Sequence, residues 1–111
     1  MRVSFNNLLF SNNHITFESA KARKLIETVK NAQKIDKLKI NFEELEIMYK
    51  EIGYDIFYKR GSHAVIHLTD EINLPVVIPH KTKYVHPKDI KRFKYILTGE
   101  IQKAINLSKH I

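Results

Sequence analysis

The segment Lys59-Arg60-Gly61-Ser62-His63 brings together side chains that could act on a phosphodiester. Histidine exchanges a proton near neutral pH, as general acid–base catalysis requires, and the two cations could hold a phosphate. RNA carries its own nucleophile, the 2′-hydroxyl beside the scissile phosphate, so one base and positive charge could start cleavage without a metal. The alternative is an ordinary turn, in which Gly61 allows the bend and His63 bonds a backbone carbonyl. Local chemistry leaves both interpretations open.

A second basic group follows Pro79 at the end of a predicted strand. It consists of His80, Lys81 and Lys83. In an antiparallel sheet, the end of a third strand can lie beside the start of a second strand, which would bring this group near His63. The alternative is an exposed loop whose lysines are simply solvated.

Other chemistries lack the residues that they need. The chain has no cysteine, which excludes disulfides, zinc fingers and thiol catalysis. No two histidines are four residues apart on a predicted helix with an acid nearby, so we expect no metal and no cofactor. The chain has only three glycines and therefore no glycine-rich phosphate loop. The acids form no evident catalytic pair.

Composition indicates a small basic domain. Nineteen Lys and Arg oppose twelve Asp and Glu among 111 residues, a net charge of +7 that favours a polyanionic partner. No apolar run approaches the roughly 20 residues that span a bilayer. The N-terminal cluster around Leu8-Leu9-Phe10 is too interrupted for a signal peptide. We therefore expect a cytoplasmic protein that does not enter a membrane.

Helical periodicity predicts two helices before any strand. Apolar residues at helical spacing predict the first helix over residues 18–33, with a basic outer face. The second begins at Asn41, where Asn41 and Glu44 form the pattern of a capping box, and it stops at Gly53. We expect the four glutamates of this helix to face mostly solvent.

The spacing then changes to that of strands. Residues 54–59, 64–69 and 74–78 predict a three-stranded antiparallel meander, with Pro75 in an edge strand. A last helix is expected to begin at His86-Pro87, with an apolar face that includes Phe93 and Leu97, and Gly99 either ends or weakens it. The prediction is a two-layer α+β fold, divided into residues 1–40 (an arm and an extra helix) and a domain of residues 41–111.

From about Asn41 to Leu97, the chain resembles the HicA family of bacterial toxin–antitoxin systems. The resemblance rests on order and on motif together. A helix ending in Ile52-Gly53-Tyr54 leads to a strand, then to Gly61-Ser62-His63 and a second strand. A third strand ends in Val77-Ile78-Pro79-His80, followed by a basic loop and a helix.

The resemblance implies a fold like that of the double-stranded-RNA-binding domain and ribonuclease activity on messenger RNA. It also implies neutralisation by a HicB antitoxin. The family's active-site histidine corresponds to His63, and its neighbours correspond to Gly61 and Ser62. Val85-His86-Pro87 departs from the Gly-Thr-Leu with which many members open the last helix, which suggests a variant branch.

These observations predict an RNA-cleaving toxin in which His63 is the general base or acid. Lys59, Arg60, Gly61, Ser62, His80, Lys81 and Lys83 are the predicted RNA-binding residues. Two other classes of function stay open. One is an RNA-binding module that does not cut, and the other is a protein-interaction adaptor that docks through its N-terminal helix.

Overall fold

The computed structural model describes residues 16–79 and 83–108. The α-helices are α1 (Phe17–Asn31), α2 (Phe42–Glu51), α3 (Pro87–Leu97) and α4 (Ile101–Ser108), and a short 3-10 helix covers Ile35–Lys37. The strands are β1 (Asp55–Arg60), β2 (His63–His67) and β3 (Asn73–Val77). The predicted α+β class and three-stranded antiparallel sheet are confirmed. None of the described helices is long and apolar enough to cross a membrane.

Helix α2 begins where the sequence predicts. The Asn41 side chain accepts a hydrogen bond from the Glu44 amide at 2.8 Å, and the Glu44 carboxylate accepts one from the Asn41 amide at 3.0 Å. Both halves of the capping box are therefore formed, which satisfies two backbone donors that a helix start otherwise leaves without partners. The apolar face of α2 buries Leu45, Met48 and Tyr49 completely.

Helix α1 packs against α2 and α3, and Val29 belongs to the same core as the sheet. Two glutamates of α2 face α1. Glu51 accepts hydrogen bonds from Ser19 at 2.7 Å and from Arg23 at 2.8 Å, and Glu44 lies 3.9 Å from the Lys21 ammonium. The expectation that the α2 acids mostly face solvent is therefore only half right, because Glu44 and Glu51 pair with basic residues of α1.

The sheet has one covered face and one open face. Strands run in the order β1-β2-β3, and alternate residues of β2 and β3 are buried under the helices: Ala64, Ile66, Leu74 and Val76. Pro75 lies in an edge strand, as predicted. It is paired with Val65 at a position where antiparallel strands exchange no hydrogen bond, so its missing N–H costs the sheet nothing.

Gly99 separates α3 from α4. Its φ of +81° is in the left-handed region that glycine adopts without strain, so the chain turns there and starts a new helix. Of the two outcomes foreseen for this glycine, the end of the helix is the one observed. Ile96, rather than Leu97, is the buried residue in the last turn of α3.

Candidate functional site

A two-residue turn joins β1 to β2. Gly61, with φ +56°, and Ser62 form the turn, and Arg60 lies opposite His63. The register shifts between Tyr58 and Arg60, so that Lys59 is an extra residue in β1. Such a bulge bends a strand and re-aims its side chains. Lys59 and Arg60 are both exposed, like most of β1. The structure therefore brings Lys59, Arg60, Gly61, Ser62 and His63 together.

The His63 imidazole is exposed and has one described partner. Its Nδ1 lies 3.3 Å from the Arg60 carbonyl oxygen. A carbonyl oxygen only accepts hydrogen bonds, so Nδ1 must carry the hydrogen, and Nε2 of the neutral ring is then the proton acceptor. The bond to a backbone carbonyl is the one expected of an ordinary turn, and it also favours the tautomer in which Nε2 can accept a proton from a substrate.

The end of β3 lies beside the start of β2, as the sequence predicts. His63 is paired with Val77, and the Ile78 amide donates to the Ser62 carbonyl at 2.7 Å. His80 and Lys81, which were predicted to approach His63 from this end, lie outside the described residues. Lys83 is exposed, with φ +68°, and no hydrogen bond or ion pair among the described residues connects it to the turn.

Two further histidines have structural roles. His67 is partly buried, and its Nδ1 lies 3.0 Å from the Asn73 side-chain oxygen. His86 caps α3, since its Nδ1 accepts a hydrogen bond from the Lys88 amide at 3.0 Å. Within residues 16–79 and 83–108, no three His, Asp or Glu side chains are grouped closely enough to hold a metal ion.

Sequence reasoning missed a cleft of about 650 Å³ beyond β3. It lies between the end of β3, the chain around the 3-10 helix and the start of α3. Mostly apolar side chains and a few charged ones line it: Asp36, Leu38, Lys39, Val77, Pro79, Tyr84, Val85, His86, Pro87, Lys88 and Asp89. Its walls combine residues 36–39 with residues 77–79 and 84–89, which lie about forty positions further along the chain, so no local motif could have indicated it.

One wall of the cleft hides a buried ion pair. Asp89 and Arg92, three residues apart on α3, form a salt bridge, and the Arg92 side chain is completely buried. Arg92 also donates to the Ser108 hydroxyl at 2.7 Å. Burial raises the pKa of the Asp89 carboxyl, and the nearby Arg92 and His86 partly offset this rise. The pair ties α3 to α4 and neutralises the one carboxylate in that wall.

Comparisons of the whole chain with models of protein families, with curated proteins and with solved structures found no match.

Proposed function

We propose that this protein is a metal-independent endoribonuclease of the HicA kind, with His63 as its general base. The observation that carries the proposal is the His63 imidazole, which is exposed and has Nε2 as its proton acceptor because Nδ1 donates to the Arg60 carbonyl. The proposal also draws on the sequence resemblance, in which His63 corresponds to the active-site histidine. The order α2-β1-β2-β3-α3 fits the α-β-β-β-α order of the double-stranded-RNA-binding domain.

The chemistry requires only the side chains of the turn, the RNA itself and water. Nε2 of His63 removes the proton of a 2′-hydroxyl, and the 2′-oxygen attacks the adjacent phosphorus. The bond from phosphorus to the 5′-oxygen breaks, and the leaving oxygen takes a proton from water. The hydroxide formed in this way takes up the proton held by Nε2, which restores the base. Lys59 and Arg60 stabilise the charge that develops on the phosphate. A positioned general base contributes about 10²- to 10⁴-fold to such a step.

The remaining predicted residues have supporting roles in this proposal. Gly61 and Ser62 let the backbone of the turn approach the RNA closely, because neither has a bulky side chain. His80, Lys81 and Lys83 add positive charge along the RNA backbone. A HicB-like antitoxin would neutralise the enzyme by covering the turn, so co-purification of the partner should protect His63 from a histidine-modifying reagent.

Induced expression with RNA profiling tests the proposal in cells. The wild type should arrest growth and produce new RNA ends, and His63→Ala should do neither. His67→Ala is a matched control, because His67 lies on the same strand and the same face of the sheet but has a structural bond to Asn73. If His63→Ala arrests growth and cleaves RNA like the wild type, His63 is not the base.

A non-catalytic RNA-binding protein is the second candidate. It is favoured by one observation, namely that no carboxylate among the described residues contacts His63 to stabilise its protonated form. This candidate predicts binding that weakens steeply with salt, because each neutralised phosphate releases counterions. It also predicts that RNA stays intact after long incubation with the purified protein.

A further inference from the structure

Val77 connects the cleft to the candidate active site, because it lines the cleft and is the strand partner of His63. His63 and Val77 are directly opposed at a position where the strands exchange no hydrogen bond. The Cα atoms of such pairs are about 4.5 Å apart, and their side chains lie on the same face of the sheet. Val77 is 47% exposed and lines the cleft. His63 itself does not line the cleft, but a ligand at the Val77 end of the cleft would lie next to the strand position that His63 occupies.

The size and the walls of the cleft suit a flat ring. Its volume of about 650 Å³ is within the range of roughly 300–1,000 Å³ that small-molecule sites occupy. Tyr84 is 43% exposed at the cleft, and Leu38, Pro79 and Val85 give aliphatic walls. Unstacked nucleobases bind to proteins by stacking on aromatic side chains and packing on apolar ones.

The charges around the cleft favour an anionic ligand. Lys39 and Lys88 are exposed at its lining, and the Lys39 ammonium lies 5.9 Å from the centre of the Tyr84 ring. Of the two carboxylates that line it, Asp89 is paired with Arg92, which leaves Asp36 as the opposing negative charge. An apolar cavity with cations at its edge matches a base that is attached to a phosphate backbone.

We propose that this cleft binds one nucleobase of single-stranded RNA and thereby positions the neighbouring phosphodiester at His63. This inference depends on the proposed function for the identity of the ligand as RNA. It makes Tyr84 a substrate-binding residue, which the sequence did not single out. It also assigns a substrate class, since a base in a paired duplex is stacked between its neighbours and cannot enter the cleft.

Binding of a 2′-O-methyl oligonucleotide, which has no free 2′-hydroxyl for cleavage, tests the cleft by fluorescence anisotropy. Tyr84→Ala should raise the Kd by roughly 5- to 100-fold, the range expected for loss of one stacked base. Tyr84→Phe should bind like the wild type because the ring remains. Phe17→Ala is the matched control, since Phe17 is a 97% exposed aromatic residue outside the cleft, and its Kd should not change.

An abasic oligonucleotide of the same length separates the base from the backbone. Wild type and Tyr84→Ala should bind it with the same Kd, because it offers no base to stack. If Tyr84→Ala weakens binding of abasic and base-bearing strands equally, the ring does not contact a base and the proposal is wrong.

NMR titration locates the ligand directly. A nucleoside monophosphate should shift the methyl resonances of Leu38, Val77 and Val85, and ribose 5-phosphate should leave them unchanged. If the nucleotide shifts none of these methyl groups, the cleft does not bind a base, and a side chain of a protein partner becomes the better occupant.

Failure of this inference can be distinguished from failure of the proposed function. If the wild type leaves RNA uncut but binds it in a way that depends on Tyr84 and on the base, the base-binding cleft is supported and the nuclease activity is wrong. If the wild type cuts RNA but Tyr84→Ala keeps the wild-type Kd for the base-bearing and the abasic oligonucleotides, the nuclease activity is supported and the base-binding cleft is wrong.

Discussion

The Arg60 carbonyl determines what His63 can do at the scale of the residue. Because a carbonyl oxygen can only accept a hydrogen bond, this contact favours the tautomer with the hydrogen on Nδ1 and Nε2 as the acceptor, even though the side chain is exposed. The sequence could place His63 in a turn, since Gly61 and the change of period mark one. The tautomer could not be predicted, because it depends on a bulge that moves the Arg60 carbonyl opposite the histidine.

The buried hydroxyl of Tyr49 is a second feature that the sequence does not reveal. The position of Tyr49 in the apolar spacing of α2 is typical of a buried residue, but the spacing says nothing about the hydroxyl. In the structure that hydroxyl is buried and makes no hydrogen bond within the described residues, although the Arg92 guanidinium is near enough to affect its ionisation. Burial therefore raises the pKa of Tyr49 well above its ordinary value of 10.0.

A dependence of stability on alkaline pH follows from this tyrosine. Above about pH 10, a tyrosine in the unfolded chain loses its proton, while native Tyr49 keeps its own. The unfolded state then binds fewer protons, so the free energy of unfolding falls as the pH rises. Between about pH 9 and 11, the free energy of unfolding should fall less for Tyr49→Phe than for the wild type, as measured by urea unfolding. Parallel pH profiles for the two proteins would show that the Tyr49 hydroxyl is not held in its protonated form.

The positions of the helices and strands were more predictable from the sequence than their packing, because capping residues and apolar spacing are local patterns. The capping box fixed the start of α2, and period-two spacing fixed the three strands to within a residue or two. The burial of Arg92 could not be predicted. Opposite charges three residues apart usually lie on the solvent face of a helix, whereas here the packing of α4 and of Tyr49 from α2 against α3 encloses the pair.

The buried pair in α3 should respond differently to single and double substitution. Asp89→Leu leaves the Arg92 charge buried without a partner and should lower the free energy of unfolding by about 3–5 kcal/mol. Asp89→Leu combined with Arg92→Met removes both charges and should cost much less. Urea unfolding of both variants gives the comparison. Equal losses in the single and double variants would mean that the pair does not act as a unit.

Across the whole molecule, α1 and the sheet share one core through Val29, which is 0% exposed. The sequence showed that α1 has an apolar face, but it could not show what that face covers. The same holds for the charges. Composition predicted a basic protein, but the structure was needed to show that Lys21 and Arg23 face acids of α2, while Lys39 and Lys88 lie at the cleft.

A shared core predicts cooperative unfolding. Val29→Ala should lower the free energy of unfolding by about 2 kcal/mol, from two lost methyl groups and the resulting cavity. The loss of free energy should be the same whether unfolding is followed by helix content or by tyrosine fluorescence, because all helices and strands should unfold in one transition. Val77→Ala makes the same change at a 47% exposed position and should have little effect. Two separate transitions in Val29→Ala would show instead that α1 unfolds independently of the sheet.

The most direct test of the central claim is cleavage of RNA by the purified protein in EDTA. Wild type and His67→Ala should cut the RNA and leave 2′,3′-cyclic phosphate and 5′-hydroxyl ends. His63→Ala should be at least about 100-fold slower. A 2′-deoxy substitution at the cleaved position should block the wild type. Cleavage by His63→Ala at the wild-type rate, or cutting of the 2′-deoxy substrate, would contradict the account.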